Sequence, residues 1–183
     1  MVFSTNNMVK VAIFTSLTVG VSVFMRFSAG IIPFSLLPLM VMLAGNILGS
    51  KLGALTMILY LMLGLFGIPV FASPPYGGLG YIFQPSFGFL LGFIFGSYVV
   101  GRITEMAPGS LKTYLLANFT GVVTINFFGL LYFWVLYNFI FGNPTPISKI
   151  VKIGLLPFIF PDLAKGVVAG LLAVSIHKRL KWM

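Results

Sequence analysis

Leu156-Pro157-Phe158-Ile159-Phe160-Pro161-Asp162-Leu163-Ala164-Lys165 places two opposite charges inside an otherwise apolar run. The 183-residue chain has only two acidic residues, and Asp162 is one of them. An ionisable side chain in hydrocarbon costs at least ~2.5–3.5 kcal/mol on insertion scales, so its presence there points by default to function. Asp162 and Lys165 stand at i and i+3, on one helix face and within reach of each other. Such a pair belongs in a bundle interior, and the rest of the sequence reads as the bundle that encloses it. The plainer alternative is an ion pair that only neutralises itself, since an apolar replacement is often as stable.

Around that stretch, hydrophobic residues make up 59% of the chain and charged residues 7%, with a mean hydropathy of +1.10. Soluble domains carry about 25% charged residues, so this composition is that of a polytopic membrane protein. At roughly 20 residues per span, the length accommodates about six helices, and an ATPase is expected on another chain. The net charge of +9 sits at span ends, where topology accounts for it and nucleic acid is not needed. With no cysteine, a disulfide framework and thiolate metal sites are excluded.

The expected fold is a single all-α membrane domain over residues 1–183, with spans at about 9–25, 31–48, 52–68, 85–101, 113–141 and 154–176. Pro33 falls in the first turn of the second span, and Pro38 is expected to kink it or to break off a short entry segment. Val11 to Met25, followed by Ser28-Ala29-Gly30, vaguely resembles a cleaved signal, but Arg26 interrupts it, so the first span is read as retained. Pro69-Val-Phe-Ala-Ser-Pro-Pro-Tyr-Gly-Gly-Leu-Gly80 is too rich in proline and glycine for regular helix and carries no charge. It is expected to tuck against the bundle. Lys149 and Lys152 fall in the last loop, where a short helical turn can carry them.

Lys10, Lys51, Arg102, Lys112, Lys178, Arg179 and Lys181 gather at one end, and Arg26, Lys149 and Lys152 at the other. The positive-inside rule then puts both termini in the cytoplasm. The sixth span enters from outside, and Asp162 lies about 12 Å below its outer end at 1.5 Å per residue. The charged pair and the Pro/Gly loop thus share the outer half of the membrane, which suits a site loaded from outside.

Small residues recur at four-residue spacing at Gly45, Gly49 and Gly53, at Gly88, Gly92 and Gly96, and at Gly166 and Gly170. That spacing reads as close helix packing. Ala12-x-x-x-Ser16 is a flat patch that either packs internally or docks a partner helix. Asn126, near the middle of the fifth span, is read either as a pocket donor or as an interhelical hydrogen bond, and Asn46 as an interhelical bond. Tyr81 and Gln84 border the Pro/Gly loop, within reach of the same space.

Catalytic readings fail by arithmetic. An intramembrane aspartyl protease needs two aspartates, and the chain has one. The single histidine, His177, sits at a span end, so no Ser/His dyad forms at depth. One Asp, one Glu and one His build no transition-metal cage, and no P-loop pattern is present. What remains is a pocket for a small, partly apolar ligand with an anionic group and hydrogen-bonding atoms. Two other readings stand beside it, a proton-coupled carrier with Asp162 as proton site and a structural subunit of a membrane complex.

Gly64-Leu-Phe-Gly-Ile-Pro-Val-Phe-Ala72, Gly77-Gly78-Leu-Gly80 and Gln84-Pro-Ser-Phe-Gly-Phe-Leu-Leu-Gly-Phe93 together resemble the central signature of BioY proteins. Ile32-Pro-Phe-Ser-Leu36 and the 156–165 stretch are similar to the family pattern as well. BioY proteins are the biotin-specific S components of energy-coupling factor (ECF) transporters. The resemblance implies a six-helix S-component fold in a bacterial plasma membrane that captures biotin from outside, with no catalysis and no cofactor. It implies as partners a membrane T component and two cytoplasmic ATPases. It also implies that Asp162 and Lys165 contact biotin and that the loop from Phe71 to Gly80, with Tyr76, Gly77 and Gly78, closes over the ligand. Docking to the T component would use an AxxxA motif, which reads Ala12-x-x-x-Ser16 here. The loop departs from the glycine-rich family norm at Ser73-Pro74-Pro75-Tyr76. Biotin suits such a pocket: its ureido ring offers two donors and one acceptor, its thiophane ring is apolar, and its valerate tail is anionic. Asp162 would accept a ureido N–H, and Lys165 would serve the ureido oxygen or the carboxylate.

Overall fold

The computed structural model describes residues 4–28 and 35–180, and among these every regular element is helical. Seven α-helices follow one another: α1 (Thr5–Ser28), α2 (Leu37–Leu48), α3 (Ser50–Leu65), α4 (Phe87–Met106), α5 (Leu111–Val135), α6 (Ile147–Gly154) and α7 (Leu156–Leu180). A 3-10 turn, Leu79–Phe83, leads into α4, and a π-helical turn, Leu136–Ile140, extends α5. Among the described residues, four helical stretches are long and apolar enough to cross a membrane: Thr5–Phe27, Phe87–Met106, Leu111–Ile140 and Leu156–Arg179. α2 and α3 are apolar but shorter, about 18 and 24 Å long at 1.5 Å per residue, against a hydrocarbon core of about 30 Å.

Helix ends explain where the structure departs from the expected spans. Ile31 and Pro33 of the second span, Ile32-Pro-Phe34 of the resemblance, Ala29 and Gly30 of the signal-like segment, and Lys181 all lie outside the described residues. Of the two outcomes expected at Pro38, α2 shows a start and not a kink: the proline occupies the first turn, where its missing N–H would have no helical partner anyway. α3 stops at Leu65 because Gly67 takes φ +93°. The Gly67 N–H then bonds to Gly64 O at 3.1 Å and the Ile68 N–H to Leu63 O at 3.2 Å, a Schellman closure. The short helical turn read in the last loop is a two-turn helix here, and the sixth span begins two residues later than expected. Lys149 and Lys152 lie on the separate helix α6, and α7 starts only after a break at Leu155.

α4 is the central helix, packed on α2, α3 and α5, while α7 lies on α2 and α5 and α1 leans mainly on α3. The α4–α5 contact is backbone-close. A Cβ built on Gly92 would stand 2.7 Å from Ile125 O and 3.0 Å from Ile125 Cα. Away from these contacts the faces are apolar and exposed, as with Leu116, Phe119, Val123 and Phe127 on α5 and Val167 and Leu171 on α7. Polar side chains turn inward instead. Asn46 Nδ2 donates to Asn118 Oδ1 at 2.9 Å, Thr104 Oγ1 donates to Asn46 Oδ1 at 2.9 Å, and Asn118 Nδ2 donates to Gly166 O at 2.7 Å. One buried network thereby joins α2, α4, α5 and α7. An apolar exterior around a polar-stitched interior is the pattern of a multi-pass membrane protein.

Candidate functional site

A cavity of about 450 Å³ lies at the end of the bundle where α2, α4 and α7 begin. That size suits a small organic ligand. Its apolar wall comes from Leu37 and Pro38 of α2, Phe89, Leu90 and Phe93 of α4, Ile125 and Phe133 of α5, and Phe158 of α7. Ile153 and Gly154 of α6 complete one side, and Ala72, Ser73, Tyr81, Pro85 and Ser86 bring the loop against the other.

Phe158, Asp162 and Lys165 fall at i, i+4 and i+7, so α7 presents one stripe to the cavity. Lys165 Nζ donates to Asp162 Oδ1 at 2.7 Å, and each side chain is only about a tenth exposed. The two charges cancel locally. Asp162 Oδ2 and the remaining Lys165 hydrogens are left to recognise a ligand that carries both donors and acceptors.

A second polar point faces the same space from the loop. Ser73 Oγ and Tyr81 Oη share a hydrogen bond of 2.8 Å, and Ser86 Oγ donates to Tyr81 Oη at 3.0 Å. Beneath Tyr81 lies Phe71, fully buried, with its ring 4.3 Å from that of Tyr81 and 5.8 Å from that of Tyr60. The ring of Phe71 also covers Gly64, where any Cβ would collide with it. Phe71 thus anchors the loop from behind and is not part of the cavity wall.

Arg26 ties the loop to the end of α1. Its Nε donates to Phe71 O at 2.9 Å, its Nη2 donates to Pro69 O, and its guanidinium lies 4.5 Å from the centroid of the Tyr76 ring. Tyr76 itself takes φ +67°, and its N–H bonds to Ser73 O at 2.8 Å. Gly77 sits against Ile68 O, where a Cβ would stand 2.6 Å away, and the Gly78 N–H reaches Gly64 O at 2.7 Å. These loop residues shape the cover without lining the cavity.

The structure therefore brings Asp162, Lys165 and Tyr81 together and places Phe71, Tyr76, Gly77 and Gly78 behind them. Gln84, half-buried, caps the 3-10 turn through its backbone and is not in the wall. Asn126 is buried on α5 but turns back on its own helix, Nδ2 donating to Val122 O at 2.9 Å, with no partner for Oδ1 among the described residues. Ala12 and Ser16 are exposed on α1, on the side away from its contacts with α3, where Thr15 reaches Thr56 O. Aromatics of the fifth span and the loop are expected as a cover for the apolar ring, and Phe133 and Tyr81 are in the wall. Sequence reasoning passed over the phenylalanines of α4 and α7, and Ser73 and Ser86, whose hydroxyls carry no spacing signal. Phe89-x-x-x-Phe93, one helical turn apart beside the loop, was the available sign. Among the described residues no three His, Asp or Glu side chains gather to hold a metal.

Comparison with known proteins bears on what this cavity serves. The model of the BioY family matches residues 1–182. The biotin transporter BioY of Thermotoga maritima is 35% identical over 171 residues, which cover 93% of this chain and 95% of that protein. A probable biotin transporter BioY of Lysinibacillus sphaericus is 31% identical over 96% of this chain and 88% of its own length. One of Pyrococcus horikoshii is 35% identical over 91% and 93%. The crystal structure of the S-component for biotin from an ECF-type ABC transporter is similar with a TM-score of 0.71, over 96% of this chain and 95% of that one. At 22% identity that likeness speaks for the fold alone. A family model spanning nearly the whole chain and relatives above 30% identity over most of their own length agree: the chain belongs to the BioY family.

Proposed function

We propose that this protein is the biotin-capturing subunit of an uptake transporter and has no chemistry of its own. The observation that carries the reading is a half-open, aromatic-walled cavity lined by the largely buried Asp162–Lys165 pair. Asp162 accepts a ureido N–H and Lys165 donates to the ureido oxygen or to the carboxylate. Tyr81, braced by Ser73 and Ser86, offers a third polar contact, while Phe89, Phe93, Phe133 and Phe158 cover the thiophane ring. The loop cover, with Phe71, Tyr76, Gly77 and Gly78, closes the site under the hold of Arg26.

In this reading α1 to α5 and α7 supply six membrane crossings of a bacterial plasma membrane, with both termini inside and the cavity outside. The face of α1 bearing Ala12 and Ser16 docks the T component of an ECF module, whose two ATPases drive delivery. Titration calorimetry of biotin against the purified chain, with Asp162→Asn alongside, is the test. Tight one-to-one binding that weakens at least about tenfold in the variant, the loss of a charge-assisted hydrogen bond, is expected. Unchanged affinity in the variant would remove Asp162 from the site, and no biotin binding by the wild type would remove the substrate.

A further inference from the structure

The cavity end of the molecule has a lopsided charge inventory. Arg26, Lys149, Lys152 and Lys165 stand there against a single carboxylate, Asp162; Glu105, the only other acid, is near the far end of α4. Two of these cations are committed. Arg26 is bonded to loop carbonyls, and Lys165 is paired with Asp162. Lys149 and Lys152 are exposed on α6, and their ammonium groups make no hydrogen bond or ion pair with any described residue.

Their helix is part of the cavity. α6 buries Ile150 and Gly154 against the bundle and gives Ile153 and Gly154 to the cavity wall. Lys149 precedes Ile153 by four residues and so shares its face, one turn further out. Lys152 lies three residues from Lys149, within reach of the same volume. Inside, the Asp162–Lys165 pair is neutral as a whole and draws an anion weakly from a distance. The long-range field at this end is therefore set by Arg26, whose carbonyl partners leave its charge uncancelled, and by the two unpaired lysines. The lysines alone stand free on the helix that lines the cavity.

We propose that Lys149 and Lys152 form an electrostatic capture site at the cavity mouth for the carboxylate of an anionic ligand. The inference rests on the biotin reading and adds to it how the valerate tail is handled. The two cations concentrate the anion near the mouth and orient it ring-first toward Asp162 and Lys165. Fields of this kind raise association rates and act little on dissociation.

The test is stopped-flow binding of biotin and of the uncharged biotinamide to the whole chain in zwitterionic nanodiscs. Wild type is compared with the Lys149→Gln/Lys152→Gln variant at about 0.01 M and about 1 M salt, where the screening lengths are about 30 and 3 Å. The expected result is a biotin on-rate about threefold to tenfold lower in the variant at low salt, a gap that closes at high salt, as for modest steering. The on-rate of biotinamide stays the same in both proteins and both salts, which also shows that the variant is folded. Equal on-rates for biotin in the two proteins, or an equal loss for biotinamide, would overturn the capture site and leave the lysines to lipid headgroups. A wild type that binds neither compound overturns the biotin reading and the capture site with it; tight biotin binding with equal on-rates sinks the capture site alone.

Discussion

Lys165 and Asp162 hold each other at 2.7 Å with little solvent around either, so removing one strands a charge. Lys165→Met is expected to destabilise the chain by about 3–5 kcal/mol, the usual result of breaking a buried pair from one side. The double variant Asp162→Asn/Lys165→Met should regain most of that loss yet bind biotin no better than Asp162→Asn. Thermal unfolding in detergent, read beside calorimetry, separates the two effects; a double variant as unstable as Lys165→Met would mean that the pair carries the local fold. These two residues were legible because acids are so scarce in the chain that one placed inside an apolar run stands out. Tyr81 was legible only as a neighbour of the loop. Its partners Ser73 and Ser86 were not, since a hydroxyl becomes part of a site through three-dimensional convergence alone. Asn126 shows the reverse case: an amide at mid-span looks available in sequence, yet here it bonds to the turn before it.

Between helices, the glycines that sequence groups together separate into two kinds. Gly92 faces the backbone of Ile125, which cannot move aside, whereas a Cβ on Gly166 would meet Asn118 Cβ at 3.5 Å and Met42 Sδ at 3.6 Å, ordinary contact distances. Gly92→Ala is therefore expected to cost about 1–3 kcal/mol, the range for overpacking. Gly166→Ala should stay near wild type, and thermal unfolding of the two purified variants checks the contrast. Equal stability of the two would mean that α4 and α5 can slide apart at no cost. The spacing of small residues gave away close packing but not which pairs are tightest, because that depends on what lies opposite. Helix ends followed the same logic. The stop after α3 needed Gly67 and its two carbonyl partners, and the break at Leu155 is hidden in a run that stays apolar on both sides.

Across the whole molecule, the proposed orientation rests on the cations at the two ends. The natural absence of cysteine makes that assignment open to labelling without any background substitution. Ala107→Cys, in the exposed connection between α4 and α5, should react with an impermeant maleimide only when the cytoplasmic side is opened. Asn143→Cys, exposed between α5 and α6, should react in intact cells. The opposite pattern would invert the chain and put the cavity inside. The bundle as a class was legible from composition. The shortness of α3 was not, since apolar residues continue past Leu65, where the helix ends. The neutrality of the Asp162–Lys165 pair has one more consequence. The pair as a whole feels no net force from the membrane voltage, but an anionic ligand carries one negative charge across with it. Bringing that charge inward against 100 mV, negative inside, costs about 2.3 kcal/mol, or roughly fiftyfold in accumulation. Uptake through this protein would be electrogenic and would slow as the cell hyperpolarises.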